Sequence, residues 1–206
     1  GAGTTSQGAD GVAIGHDAGT TSQGTSAIAI GKEAGKTDQG ASTVAIGVQA
    51  GETDQDVFSI SIGYQAGYIG QNTFAVAMGQ SAGNSGQEIA AIAIGKEAGR
   101  LSQGSSAIAM GYSAANLRQS SNAVAIGYHS GFSDQGTRSV AIGDQAGRAS
   151  QGTDAIAIGN RAGNVNQGDN SIILNASGAD LNSIGGSRFY VKPIRTATEV
   201  SNVVTY

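Results

Sequence analysis

Residues Gly24 to Gln39 read GTSAIAIGKEAGKTDQ. Within them, Ala27-Ile28-Ala29-Ile30 alternates small and large side chains. That period of two, built on β-branched residues, is the signature of a strand. The polar return that follows contains Ala34-Gly35 and predicts a second short extended stretch ending at Gln39. The unit recurs. The glycine closing each apolar run stands at Gly15, Gly31, Gly47, Gly63, Gly79, Gly95, Gly111, Gly127, Gly143 and Gly159, a spacing of 16 without one insertion. Eight residues before each stands a glutamine, at Gln7, Gln23, Gln39, Gln55, Gln71, Gln87, Gln103, Gln119, Gln135 and Gln151, and Gln167 opens an altered final unit. A fixed period of this kind marks a solenoid, in which each unit is a coil that contacts only its neighbours. The repeat predicts an all-β parallel β-solenoid over residues 1–174, about ten coils stacked about 4.8 Å apart into a rod of roughly 50 Å. Residues 175–206 form a C-terminal cap or junction segment on this reading.

Composition agrees with that architecture and excludes others. Glycine supplies 34 of 206 residues, there is one proline, and cysteine and tryptophan are absent. Glycine interrupts every window of helical length, which disfavours a helical bundle. It does not recur every third residue, which excludes collagen. The lack of cysteine excludes a disulfide scaffold, a thiolate zinc site and thiol catalysis. No apolar run approaches the roughly 18 residues of a membrane helix, so membrane insertion is not expected. A balance of 11 basic to 15 acidic residues argues against a nucleic-acid partner.

The alternating strand has consequences for assembly. One side shows Ile and Val, the other Ala, and neither is polar, so both are expected to be buried. A two-strand coil has one interior, and Ala suits a thin one. The Ile/Val face then needs an external cover, because soluble monomers avoid large exposed apolar stripes. A sister chain is the simplest cover. This predicts a homo-oligomer about an axis parallel to the rod, with Ile28, Ile30, Ile60, Ile62, Ile92, Ile94, Ile156 and Ile158 in its shared core.

Ser139-Val140-Ala141-Ile142-Gly143, and more loosely every unit, resembles the head repeats of YadA-like trimeric autotransporter adhesins. The resemblance covers about residues 4 to 174 and implies a left-handed β-roll that forms a homotrimer. The C-terminal stretch resembles something else. Ser171 to Gly178 reads SIILNASG, and Gly186 to Arg195 reads GSRFYVKPIR. That combination is similar to fibre and spike proteins of large DNA viruses and phages, where it precedes an autocleaving intramolecular chaperone. Ala2-Gly3 is in register with Ala18-Gly19, so the chain also starts inside a repeat, and both ends read as cuts in a longer fibre. The resemblance implies a structural, host-attachment segment at the virion surface, with a host cell-surface glycan or protein as partner. A bacterial trimeric adhesin head at the cell surface is the alternative.

Candidate chemistry is sparse, and neither enzymatic activity nor a cofactor or metal is expected. The glutamines Gln23, Gln39, Gln55, Gln71, Gln87, Gln103, Gln119, Gln135 and Gln151 read as a structural ladder of amides bonded coil to coil. His16 and His129 follow corner glycines seven coils apart, roughly 34 Å by stacking, and cannot share a metal or a triad. Asp38, Asp54 and Asp134 share a variable slot and make no paired-carboxylate site. A phosphate-binding loop and a calcium β-roll would need motifs that are missing. An ice-binding face would need a sustained Thr ladder, but Thr25, Thr73, Thr137 and Thr153 share their slot with Ala, Val, Ile and Ser.

The aromatic residues carry more. Tyr64, Tyr112 and Tyr128 occupy one slot, just after the corner glycine, and Tyr68 and Phe132 another, four residues on. Both slots hold polar residues elsewhere and should face outward. Tyr112 and Tyr128, in adjacent coils, are expected side by side with His129 and Phe132 near. Such rings suit sugars or protein partners, which makes Tyr64, Tyr68, Tyr112, Tyr128, His129 and Phe132 the candidate ligand-binding residues. Phe189-Tyr190 and Val203-Val204 are expected to close the C-terminal end against edge pairing.

Overall fold

The computed structural model describes residues 1–194, so Val203 and Val204 lie outside the described residues. Each repeat folds into one coil with two three-residue strands. The first coil supplies β1 (Thr5–Gln7) and β2 (Val12–Ile14), and the pattern continues to β21 (Val165–Gln167) and β22 (Ile172–Asn175). The odd-numbered strands stack into an 11-stranded parallel sheet, here the glutamine sheet, and the even-numbered strands into a second parallel sheet, the isoleucine sheet. A final strand, β23 (Phe189–Lys192), pairs in parallel with β22 and brings the isoleucine sheet to 12 strands. The solenoid therefore has about twelve turns rather than the expected ten. The altered unit after Gln167 keeps the stacking, and the tail adds one more rung.

Register is uniform. Ile28 pairs with Val44, Ala29 with Ala45 and Ile30 with Ile46, and the offset stays at 16 residues as far as β22, becoming 17 only at β23. Slots of the repeat thus become columns along the rod. Corner backbone groups are also satisfied between coils: Gly31 N donates to Ile14 O at 2.8 Å and Glu33 N to His16 O at 2.8 Å. An inserted corner residue would break both bonds, which explains a repeat free of insertions.

The interior is thin and made of alanine. Ala27, Ala29, Ala34, Ala45 and their counterparts along the rod are fully buried, and the apolar clusters inside the coils contain almost nothing else. The outward column of the isoleucine sheet, including Ile28, Ile30, Ile60, Ile62, Ile92, Ile94 and Ile156, is only half-buried, and Ile158 is exposed. One large apolar side chain sits inside: Ile173, in the column of Ala157, where Leu181 and Tyr190 pack against it and plug the last coil. The Tyr190 hydroxyl accepts from Ile184 N at 2.9 Å, which ties the connecting loop to β23.

The backbone differs from a purely extended reading at three positions per coil. Ser26 (φ 56°), Glu33 (φ 57°) and Asp38 (φ 51°) are left-handed although none is glycine. Asp38 is the centre of a strand, so only its flanking residues pair, Thr37 with Thr53 and Gln39 with Gln55. Left-handed non-glycine residues cost about 1–2 kcal/mol each, an expense set against the coil-to-coil bonds on either side. Glycine is needed where more than φ is at stake. At Gly95, φ is 124° and a Cβ would lie 2.6 Å from Gly111 O, so the corner is both left-handed and backbone-packed.

Candidate functional site

Two columns of special side chains run along the rod, one inside and one outside. Inside, the glutamines are buried; Gln55 and Gln87 expose no surface. From Gln39 to Gln167 each amide nitrogen donates to the amide oxygen of the next, for example Gln87 Nε2 to Gln103 Oε1 at 3.2 Å and Gln119 Nε2 to Gln135 Oε1 at 3.0 Å. Each Nε2 also donates to main-chain carbonyls, as Gln87 does to Val76 O (2.8 Å) and Ala91 O (3.0 Å). All these amides point the same way along the axis, an arrangement in which neighbouring hydrogen bonds reinforce one another. Gln23 is also buried, but its Nε2 donates to Val12 O and Ala27 O and not to Gln39, whose Oε1 has no partner, so the chain of amides starts at Gln39. No amide edge is left for a ligand in the interior of this column.

Outside, four of the six candidate residues come together. Tyr112 and Tyr128 lie nearly parallel with centroids 5.5 Å apart. His129 stacks on Tyr128 at 4.0 Å and contacts Phe132 at 5.0 Å. Lys96 Nζ sits 5.4 Å from the Tyr112 ring centre, and the Arg148 guanidinium lies 6.0 Å from that of Phe132. The result is a stack of rings with a cation at each end. Burial, and then the neighbouring Arg148, push the His129 imidazole below its ordinary value, which favours the uncharged ring in the stack. His129 is half-buried, because Tyr128 and Phe132 cover its ring. The rings use their flat faces on one another. What they present outward is edges and hydroxyls, flanked by two cations.

Tyr64 and Tyr68 do not join this stack. They lie three coils away, roughly 14 Å by stacking, and among the described residues no ring packs on either. Tyr64 is exposed and Tyr68 half-buried.

Two features escaped the sequence reading. Phe58 and Phe74 stack at 5.4 Å with an interplanar angle of 7°, although both are more than half exposed and both are left-handed. The signal was two consecutive Phe in a column that otherwise holds Asp, Ser, Ala, Asn and Arg. On the glutamine sheet, Gly70 and Gly86 replace the outward side chains of their column; Gly86 borders a shallow groove of about 630 Å³ beside Glu88, Ser102, Arg118 and Thr137, and Gly70 borders the next hollow. A neighbouring hollow of about 350 Å³ is bordered by Asp38, Asp54 and Asp56. Among the described residues no group of acidic or histidine side chains has a geometry that could hold a metal.

Comparison with known protein families, with curated proteins and with solved structures finds no match to this chain.

Proposed function

We propose that the chain is a structural and attachment segment of a homotrimeric viral or phage fibre or spike, displayed at the virion surface. One observation carries the reading: the rod bears an uninterrupted outward stripe of Ile, Val and Met along its isoleucine sheet, including Val76, Met78, Met110, Ile126 and Ile142, which its own fold leaves half-covered. A stripe of that kind on a straight rod suits sister chains around a parallel axis. The SIILNASG and FYVKPIR segments favour a fibre over a bacterial adhesin head. Attachment works by multivalent presentation, where equivalent surfaces on each chain raise avidity for weakly held groups on a host cell. The stack of Tyr112, Tyr128, His129 and Phe132 is the surface offered to a cell-surface glycan or protein, through its hydroxyl edges and the flanking Lys96 and Arg148. Sedimentation equilibrium tests the assembly, and a stable monomer at micromolar concentration refutes it. A glycan array with the wild-type oligomer and a Tyr112→Ala, Tyr128→Ala, Phe132→Ala variant tests attachment. Loss of binding with assembly retained is expected, and unchanged binding refutes the assignment.

A further inference from the structure

Two edges border the isoleucine sheet. One is the column five residues before each corner glycine, which contains Asp10, Phe58, Phe74, Arg138 and Asp154. The other is the pair of columns just after that glycine, which contains His16, Tyr64, Asp144 and Arg161. The two edges of one coil are separated by six or seven residues of mostly extended chain, roughly 20 Å, so they cannot touch within one chain. In three coils they are complementary. Where the first edge carries Arg138, the second edge of the same coil carries Asp144. Asp154 is matched by Arg161 and the exposed Phe58 by the exposed Tyr64, whereas Phe74 faces Gln80 and Asp10 faces both His16 and Asp17.

We propose that these edges meet between neighbouring copies of the chain and set the axial register of the assembly. This rests on the oligomeric reading above. A rotation about an axis parallel to the rod moves no atom along that axis, and it brings unlike edges together. Coil n of one chain then faces coil n of the next. The charges show why a slip is resisted. Within one edge, Arg138 Nε and Nη2 bind the Asp154 carboxylate, both at 2.7 Å. On the other edge, Asp144 accepts from Gln145 Nε2 at 3.0 Å, and Arg161 lies 3.6 Å from Asp180. In register, the four charges form an alternating square. A shift of one coil places Arg138 against Arg161, and the opposite shift places Asp154 against Asp144. A column of identical isoleucines has no such preference, since every coil matches every other. The irregular edge residues supply the register that the regular stripe lacks.

The chain contains no cysteine, so paired cysteines report directly. Arg138→Cys with Asp144→Cys, and separately Phe58→Cys with Tyr64→Cys, are treated with a short bis-maleimide and run on denaturing gels. The Arg138 and Phe58 column holds Ser26, Ser42 and Ser106 in other coils, so the smaller side chain is accommodated there. Covalent multimers are expected from both same-coil pairs. None are expected from Arg138→Cys with Tyr112→Cys or Phe58→Cys with Lys96→Cys, which are offset by two coils. Cross-linking of the offset pairs in place of the same-coil pairs overturns the register. An oligomer by sedimentation that cross-links in no pair overturns edge contact while leaving the stripe assembly standing. A monomer removes both. As a second readout, Asp144→Arg shifts the sedimentation profile toward monomer. An oligomer of unchanged stability in that variant also overturns the proposal.

Discussion

Replacing Gln87 with Ala isolates the contribution of the buried amide column. Gln87 is fully buried at mid-rod. Its Nε2 shares two N–H groups among Val76 O, Ala91 O and Gln103 Oε1, and its Oε1 accepts from Gln71 Nε2 at 3.2 Å. Gln71 retains Ile60 O and Ala75 O as acceptors, and Ala91 O retains its bond from Val76 N. Gln103 Oε1 is different, because Gln87 is its donor and the truncation leaves it buried without one. A buried polar group left unpaired costs about 1–3 kcal/mol. The void left by a truncated side chain adds about 2 kcal/mol or more in a core that cannot collapse, and an interior of alanines between two short strands has little to move inward. The expected loss is about 3–5 kcal/mol. Gln7 is the control. It lies in the same column but is exposed, with one bond, from Nε2 to Gly11 O at 2.9 Å. Its truncation should stay within about 0.5 kcal/mol. Guanidinium denaturation followed by circular dichroism at fixed chain concentration measures both. Equal losses for the two variants would refute the claim that the column is a structural core element rather than a surface feature repeated by descent.

Other outcomes follow from the geometry. Gly95→Ala should cost more than about 3 kcal/mol, because its Cβ would strike the Gly111 backbone at a φ of 124°. Gly99→Ala should cost less, because Ala115 occupies the same slot of another coil at φ 47°; thermal melts of the two variants compare them directly. Glu52 has a buried Oε2 without a partner, and burial followed by repulsion from Glu33 raises its carboxyl above the ordinary value. The folded state therefore holds that proton more tightly than the unfolded one, and the penalty is largest at neutral pH and fades as pH falls. Glu52→Gln should stabilise the chain at pH 7, with the gain vanishing below roughly pH 4, where the unfolded carboxyl also protonates; denaturation midpoints across that range check it. Ile92→Asp with Ile94→Asp alters only the outward column, so it should abolish the proposed oligomer while the β-sheet signal persists.

The coil was legible because its determinants are strictly periodic: the alternation at Ala27-Ile28-Ala29-Ile30, the corner glycines, and a glutamine every 16 residues. The same periodicity made ring adjacency legible at Tyr112 and Tyr128. What the rings do with their faces was not, because slot positions say which side chains are neighbours and nothing about whether they cover one another or open to solvent. The left-handed residues were hidden for a related reason. Ser26, Glu33 and Asp38 do not advertise a positive φ as glycine does; Ser26 and Glu33 are held by bonds to the coil before, and Asp38 between two paired neighbours. The hollows at Gly70 and Gly86 were written in the sequence as two glycines in a column of Ser, Asp, Arg and Asn, but glycine is so common here that an extra pair carried no signal. The twelfth turn was obscured because β23 lies outside the period and reaches β22 across an irregular loop.

A solenoid of this composition separates two tasks that a globular core performs together. The inside is closed by alanine, glycine and a chain of amides, materials that supply little apolar area but a large number of hydrogen bonds in fixed directions. Those bonds dictate stacking at one spacing and one register. The large apolar side chains are placed outside, where they contribute little to an isolated coil. In the proposed assembly, that hydrophobic area serves association more than folding. It follows that substitutions inside should change the unfolding transition at any chain concentration. Substitutions in the Ile/Val column should instead change its concentration dependence, because they act through the bound state of a second copy. Measuring melts of Gln87→Ala and of the Ile92→Asp, Ile94→Asp variant over a hundredfold range of chain concentration separates the two. If the inner variant alone altered the concentration dependence, the division between inner hydrogen bonds and outer association would be wrong.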